Sequence, residues 1–145
     1  MDMLAPALVA PSLRERIDWS TWQVFWVDER WVPPSSPDSN FGLARRLLLG
    51  RVDIPENQIH AVDHAKIPDE TARDYEAKIR KTLPVEAGAL PRFDLILLGL
   101  GEDGHTASLF PGHPALAEDR RWVVPVSNAP KPPPVRVTMT LPVIH

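Results

Sequence analysis

An aspartate and a histidine separated by one glycine, Asp103-Gly104-His105, lie inside the glycine-rich stretch Gly99-Leu100-Gly101-Glu102-Asp103-Gly104-His105-Thr106. Histidine is the side chain best poised to move a proton near neutral pH. His105 is therefore a candidate general base that takes a proton from water, and Asp103 a carboxylate that orients the imidazole or stabilises its cation. Gly101 and Gly104 let the backbone turn sharply and come close to a ligand, and N–H groups of the turn could stabilise a developing oxyanion. The competing reading is a tight strand-to-helix turn in which Asp103 merely caps Thr106 and its neighbours. Position favours chemistry. Phe93-Asp94-Leu95-Ile96-Leu97-Leu98 reads as a buried apolar strand, and ligands in open α/β sheets bind beyond the carboxyl ends of strands.

Two further clusters carry charge. Asp28-Glu29-Arg30 follows the apolar run Gln23-Val24-Phe25-Trp26-Val27. Asp28 and Arg30 are candidates to bind and orient a polar substrate, since the planar fork of arginine matches phosphate or carboxylate; a surface salt bridge of little worth is the alternative. In Lys131-Pro132-Pro133-Pro134-Val135-Arg136 the prolines stiffen the backbone. Lys131 and Arg136 could thus be held ready for an anion at low entropic cost, or the segment is a rigid loop leading into a strand with an outward arginine. His60, His64, His113 and His145 show no i,i+4 pair and no cysteine companion, so no metal site is expected. A Gly-x-Ser-x-Gly elbow is absent, and the glycine stretch lacks the third glycine of a dinucleotide fingerprint. The five tryptophans read as core and rim packing.

Strands and helices must position these groups. Residues 23–27 read as a short buried parallel strand. Asp38-Ser39-Asn40 looks like a helix start, with Phe41, Ala44, Leu47 and Leu48 at helical spacing and Gly50 as a possible stop. Residues 52–60 read as loop. The clearest helix is 69–83: Ala72, Tyr75, Ile79 and Leu83 share a face, and the charges suit the helix dipole. Residues 122–126 form a further strand, in which Pro125 marks an edge or an end. Val135, Val137, Met139 and Leu141 alternate with polar residues, the pattern of a half-buried strand. The expected fold is α/β: a Rossmann-like layered sheet, mostly parallel, with helices on both faces.

The bulk properties narrow the function classes. The 145 residues suit one domain. With 43% hydrophobic residues the chain can bury a core. A formal net charge of -3 gives no basic footprint for nucleic acid. Zero cysteines exclude disulfides and thiolate metal sites and fit a reducing compartment. No apolar run approaches the roughly 20 residues that span a bilayer, and the apolar start lacks the basic region of a signal peptide. The expectation is a cytoplasmic protein that engages neither membrane nor nucleic acid.

Taken in order, residues 24–33, 38–41, 93–111 and 131–138 resemble the 6-phosphogluconolactonase family, within the larger sugar-phosphate isomerase and deaminase-like superfamily. The resemblance implies hydrolysis of 6-phospho-D-glucono-1,5-lactone to 6-phospho-D-gluconate, in the oxidative pentose phosphate pathway. It implies that His105 activates water with Asp103 beside it, that Arg30 helps orient the substrate from the Asp28 edge, and that Lys131 and Arg136 help hold the phosphate. It implies no metal or organic cofactor, and a monomer in the full-length form. The alternative within the superfamily is a glucosamine-6-phosphate deaminase. Deaminases carry glutamate before the proline that ends the Asp-Gly-His motif and tyrosine at the position of Arg30; this sequence has Phe110 before Pro111. Family members also carry an upstream Gly-Gly-Ser-Thr-type phosphate loop that is absent here. Residues 1–145 are therefore expected to form one lactonase-like domain that is a truncated portion of the family fold, incomplete at both ends. A non-catalytic sugar-phosphate binding module is the reading from a different class.

Overall fold

The computed structural model describes residues 4–145. Helices α1 (Leu4–Val9) and α2 (Pro11–Arg14) are followed by strands β1 (Val24–Phe25) and β2 (Asp28–Arg30) and helix α3 (Asn40–Leu47). Strand β3 (Ile59–His60) and helix α4 (Pro68–Thr82) come next, then β4 (Val123–Val126), β5 (Arg136–Met139) and α5 (Leu141–Ile144). The chain divides into two compact units. One comprises the residues up to Trp26 together with Pro33–Ala61; the other comprises Val27–Val32 and Val62–His145.

In the first unit β1 and β3 pair in parallel, Val24 with Ile59 and Phe25 with His60. The rings of Phe25 and His60 stack at 4.4 Å. Helix α3 starts where its sequence signals a start: the Ser39 hydroxyl accepts the Gly42 N–H at 2.9 Å, satisfying one of the donors that the first turn leaves open. Phe41 then meets Trp26 edge to face at 5.3 Å. One feature runs against the sequence reading: residues 52–60 contain strand β3 as well as loop. The apolar start carries α1 and α2. All three elements are too short for their periodicity to stand out.

The second unit is built on an antiparallel sheet of order β2-β5-β4. Proline 125 lies on the edge strand β4, opposite Val137, where its missing N–H costs no ladder bond. Helix α4 packs against β4 and β5 through buried Thr71, Ala72, Tyr75 and Ile79. Asp69 and Glu70 occupy its first turn, and Arg80 and Lys81 its last, each sign facing the opposite end of the dipole. Leu109, Phe110, Ala115, Val124, Val126 and Ala129 form a buried cluster with Leu116 and Ile144 packed against it.

The α/β class holds, and the described sheets are one parallel pair and one antiparallel three-stranded sheet. Asp28 and Arg30 lie in strand β2 itself rather than in a loop beyond a strand. All four residues of β5 are buried, Arg136 and Thr138 included, because the second face of the strand is also covered. Leu141 begins helix α5 instead of continuing the alternation. The largest departure is at 93–98. These residues form no strand, no backbone hydrogen bond is made by 94–98 among the described residues, and Leu95 and Leu97 are 69% and 58% exposed.

Candidate active site

The loop at 99–106 is tied to itself by its own backbone. The Gly101 N–H donates to the His105 carbonyl at 2.7 Å and the Gly104 N–H to the Gly101 carbonyl at 2.9 Å. The Thr106 hydroxyl closes the base by donating to the Gly99 carbonyl at 2.9 Å. Gly104 takes φ +82°, a left-handed conformation that glycine adopts without strain. At Gly101 a side chain would run into the His105 ring and the Asp103 carboxylate. No helix follows. Thr106 instead bridges to Leu109 across a tight turn in which Ala107 has φ 50°.

This geometry brings Asp103 Oδ1 to 2.5 Å from His105 Nδ1. A carboxylate can only accept, so Nδ1 carries the hydrogen and Nε2 keeps its lone pair. Nε2 makes no hydrogen bond among the described residues, and the side chain is 17% exposed. The hydrogen bond from His105 is the main cause that holds the Asp103 carboxyl down at about 2, against an ordinary 3.8. The arrangement is an oriented imidazole with one basic nitrogen available, which can take a proton from a water molecule and return it later. Lys131 Nζ lies 3.6 Å from the same carboxylate oxygen, so a partly exposed cation stands beside the pair.

Arg136 occupies a different environment. It is 3% exposed, and burying its charge is tolerable only because its donors are satisfied. Nε bonds the Pro133 carbonyl at 3.1 Å, and Nη2 bonds the carbonyls of Lys131 at 2.9 Å and Pro132 at 3.2 Å. The guanidinium therefore fixes the backbone on which Lys131 sits. Its carbon also lies 5.3 Å from the centre of the Phe110 ring.

Across the sheet, Arg30 is paired in register with Arg136 and Asp28 with Thr138, so all four project to one face. Ser108 joins this face to the histidine loop. Its hydroxyl donates to Asp28 Oδ2 at 2.6 Å, its N–H bonds Thr138 Oγ1 at 3.3 Å, and Arg136 Nη1 reaches its oxygen at 3.5 Å. The structure thus brings His105 and Lys131 each against Asp103. It links Arg136 to them through Phe110 and the 131–133 backbone, and Asp28 through Ser108. Arg30 shares their sheet face without an ion pair to Asp103.

Of the remaining histidines, His113 accepts the Ala115 N–H at its own helical turn and contacts the Ser127 carbonyl, and His60 bonds Gln23. Among the described residues no three His, Asp or Glu side chains cluster as metal ligands. Ser108 and Thr138 are site residues that sequence reasoning did not single out, and Phe110 entered it only as the residue that separates a lactonase from a deaminase. Ser108 and Asp28 are 80 positions apart, and no local spacing announces such a bond.

Known proteins share this arrangement of elements. The chain is 44% identical over 144 residues to "Probable 6-phosphogluconolactonase 4, chloroplastic" of Oryza sativa subsp. indica, covering 95% of this chain and 44% of that protein. It is 43% identical to the 6-phosphogluconolactonase of Rattus norvegicus, covering 97% of this chain and 53% of the rat protein. The solved 6-phosphogluconolactonase of Trypanosoma brucei superposes with a TM-score of 0.82 at 34% identity, over 98% of this chain and 60% of that one. The chain spans about half the length of the curated relatives it matches. The family model for glucosamine-6-phosphate isomerases/6-phosphogluconolactonase matches residues 1–145. With the whole chain inside that match, this protein belongs to the glucosamine-6-phosphate isomerase/6-phosphogluconolactonase family.

Proposed function

We propose that this chain carries the water-activating centre of a lactonase that hydrolyses 6-phospho-D-glucono-1,5-lactone to 6-phospho-D-gluconate in the oxidative pentose phosphate pathway. The observation that carries the reading is the short Asp103–His105 hydrogen bond, which leaves Nε2 as the available base. His105 Nε2 takes a proton from water while the water oxygen bonds to the lactone carbonyl carbon. The tetrahedral intermediate then collapses with cleavage of the ring C–O bond, and the imidazolium returns its proton to the departing ring oxygen. The product is an open-chain acid, which ionises in solution. A lactone is an activated ester, so no covalent nucleophile is needed.

In this reading Lys131 supplies the cation for the phosphate. Arg136 contributes mainly by holding the 131–133 backbone, since its donors already meet those carbonyls. Arg30 and Asp28 orient the sugar from β2. Phe110 disfavours the deaminase alternative, because a buried aromatic ring lies under the imidazole where that chemistry uses a carboxylate. The reading of residues 1–145 as one lactonase-like domain belongs to this proposal, supported by a single family model over that range. So do the mostly parallel sheet of the family fold, a monomeric full-length enzyme and a cytoplasmic location. No helix among the described residues is long and apolar enough to cross a membrane, while the rice relative is named chloroplastic.

The test is lactone hydrolysis followed by coupled oxidation of the 6-phosphogluconate formed. The chain is expected to exceed the spontaneous rate, and His105→Ala to lose about 10²–10⁴-fold. An unchanged rate in His105→Ala would remove the histidine from the chemistry. Calorimetric binding of 6-phosphogluconate with no turnover would point instead to a binding module.

A further inference from the structure

Both ring nitrogens of His113 are engaged, on two different segments. Nδ1 accepts the Ala115 N–H at 3.1 Å, where it caps the helical turn Pro114–Ala117. Nε2 lies 3.0 Å from the Ser127 carbonyl. A nitrogen that accepts keeps its lone pair, so the hydrogen sits on Nε2 and is donated to Ser127. The ring has no nitrogen left for chemistry. It ties the segment that follows the histidine loop to the segment that carries Lys131.

Both ends of the tie lead to the site. On one side, the His113 N–H donates to the Phe110 carbonyl at 3.0 Å, and the Phe110 ring stacks on His105 at 4.5 Å. On the other side, Ser127 opens the loop 127–135 between β4 and β5. Asn128 takes φ 58°, a left-handed conformation in which asparagine is enriched, and the Ala129 N–H donates to the Pro134 carbonyl at 2.9 Å. Together with Arg136 on the carbonyls of 131–133, these features fix the shape of the loop. They do not fix its tilt against the histidine loop, because all of them lie within 128–136. The bond from His113 comes from outside the loop and does. Lys131 Nζ, carried on that loop, stands 3.6 Å from Asp103. We propose that His113 is a positioning residue for phosphate recognition: by holding Ser127 it sets where Lys131 stands relative to the Asp103–His105 pair, so the cation is already placed when substrate arrives. The phosphate rests on the lactonase reading; the tie itself does not.

Two substitutions separate the tie from the cap. Asparagine caps well, so His113→Asn keeps an acceptor for the Ala115 N–H but is too short to reach Ser127. His113→Gln puts its amide near the position of Nε2 and keeps a donor to Ser127, while giving up the cap. His113→Asn is expected to raise KM for 6-phospho-D-glucono-1,5-lactone about tenfold with kcat changed less than about twofold, the pattern of lost uniform binding. His113→Gln is expected to hold both constants within about twofold. In a Lys131→Ala background His113→Asn should raise KM no further, because residues in one chain of contacts do not act additively. An unchanged KM in His113→Asn, an equal rise in His113→Gln, a loss confined to kcat, or an undiminished effect without Lys131 would each overturn the proposal. Absence of turnover in the unsubstituted chain would sink the lactonase reading alone; the same pattern is then expected in the calorimetric Kd for 6-phospho-D-gluconate, and no binding would overturn both. Nitrogen NMR tests the tie with no ligand present. A fixed Nε2–H tautomer of His113 is expected, and a ring that averages between tautomers would overturn the proposal whatever the assays give.

Discussion

The imidazole of His105 lies on the ring of Phe110, with ring centres 4.5 Å apart and planes 29° from parallel. Asp103 fixes the imidazole within its plane through Nδ1, and Phe110 supports it from below. Phe110 is itself fully buried in the cluster with Val124 and Val126, so the orientation of a candidate base is anchored in the hydrophobic core.

Phe110→Ala should therefore cost about 3–5 kcal/mol of stability, the usual range for a fully buried phenylalanine, measured as a lower denaturant midpoint. Phe110→Leu should cost less and separate the two roles. It fills much of the space but removes the aromatic support, so the His105 ring protons should lose their ring-current shift. Unchanged His105 resonances in Phe110→Leu would show that the stack does not persist in solution.

Acid titration gives a second test. The folded-state carboxyl of Asp103 ionises at about 2 rather than 3.8. The unfolded chain therefore binds more protons in this window, and stability rises with pH. The contribution of the pair is fully present above 3.8 and is lost as the pH falls through about 2. Glu118, held at about 2 chiefly by the backbone N–H groups of Arg121 and Arg120, adds a loss of the same sign below 4.5. Carbon NMR of the Asp103 carboxyl should give a midpoint near 2, and Asp103→Asn should flatten the stability profile between about 2 and 4. A midpoint at the ordinary value would mean that the hydrogen bond to His105 does not form.

Glu76 on α4 governs the start of β4. Its Oε2 accepts the N–H groups of Trp122 at 2.8 Å and Val123 at 3.3 Å, and Oε1 bonds Arg80, whose guanidinium lies 3.5 Å over the Trp122 ring. Glu76→Ala leaves these donors without an acceptor and should cost about 1–3 kcal/mol. Glu76→Gln keeps an acceptor oxygen and should cost less. Chemical denaturation followed by tryptophan fluorescence measures both; equal losses would assign the effect to charge rather than to the orphaned N–H groups.

Gly101→Ala tests the loop itself. An added methyl meets the His105 ring and the Asp103 carboxylate, so the pair must separate. Because Gly101 is half-buried and outside the core, the thermal midpoint should move little while the Asp103 carboxyl returns toward its ordinary value. Retention of the low midpoint in this variant would show that the loop can yield without breaking the pair.

Much of this was legible in the chain because it is local. The Asp103–His105 pair is two positions apart, the Ser39 cap three from the N–H it accepts. Helix α4 repeats its apolar face over fifteen residues, long enough for the period to show. Proline 125 marked an edge because proline lacks a donor wherever it sits. Strand β3, α1 and α2 escaped notice because two to six residues carry too few repeats for any period.

The sequence by itself determined which groups could do chemistry and that a glycine loop would hold two of them together, since side-chain type and short-range backbone geometry are properties of the chain. Only the tertiary structure decided what those groups face. It turned Arg136 inward onto the carbonyls of 131–133 and tied Asp28 to Ser108 across 80 positions. It left the strand-like run at 94–98 without a backbone hydrogen bond among the described residues. Burial and strand pairing depend on neighbours remote in sequence, and a leucine-rich segment carries the same pattern whether or not those neighbours are present.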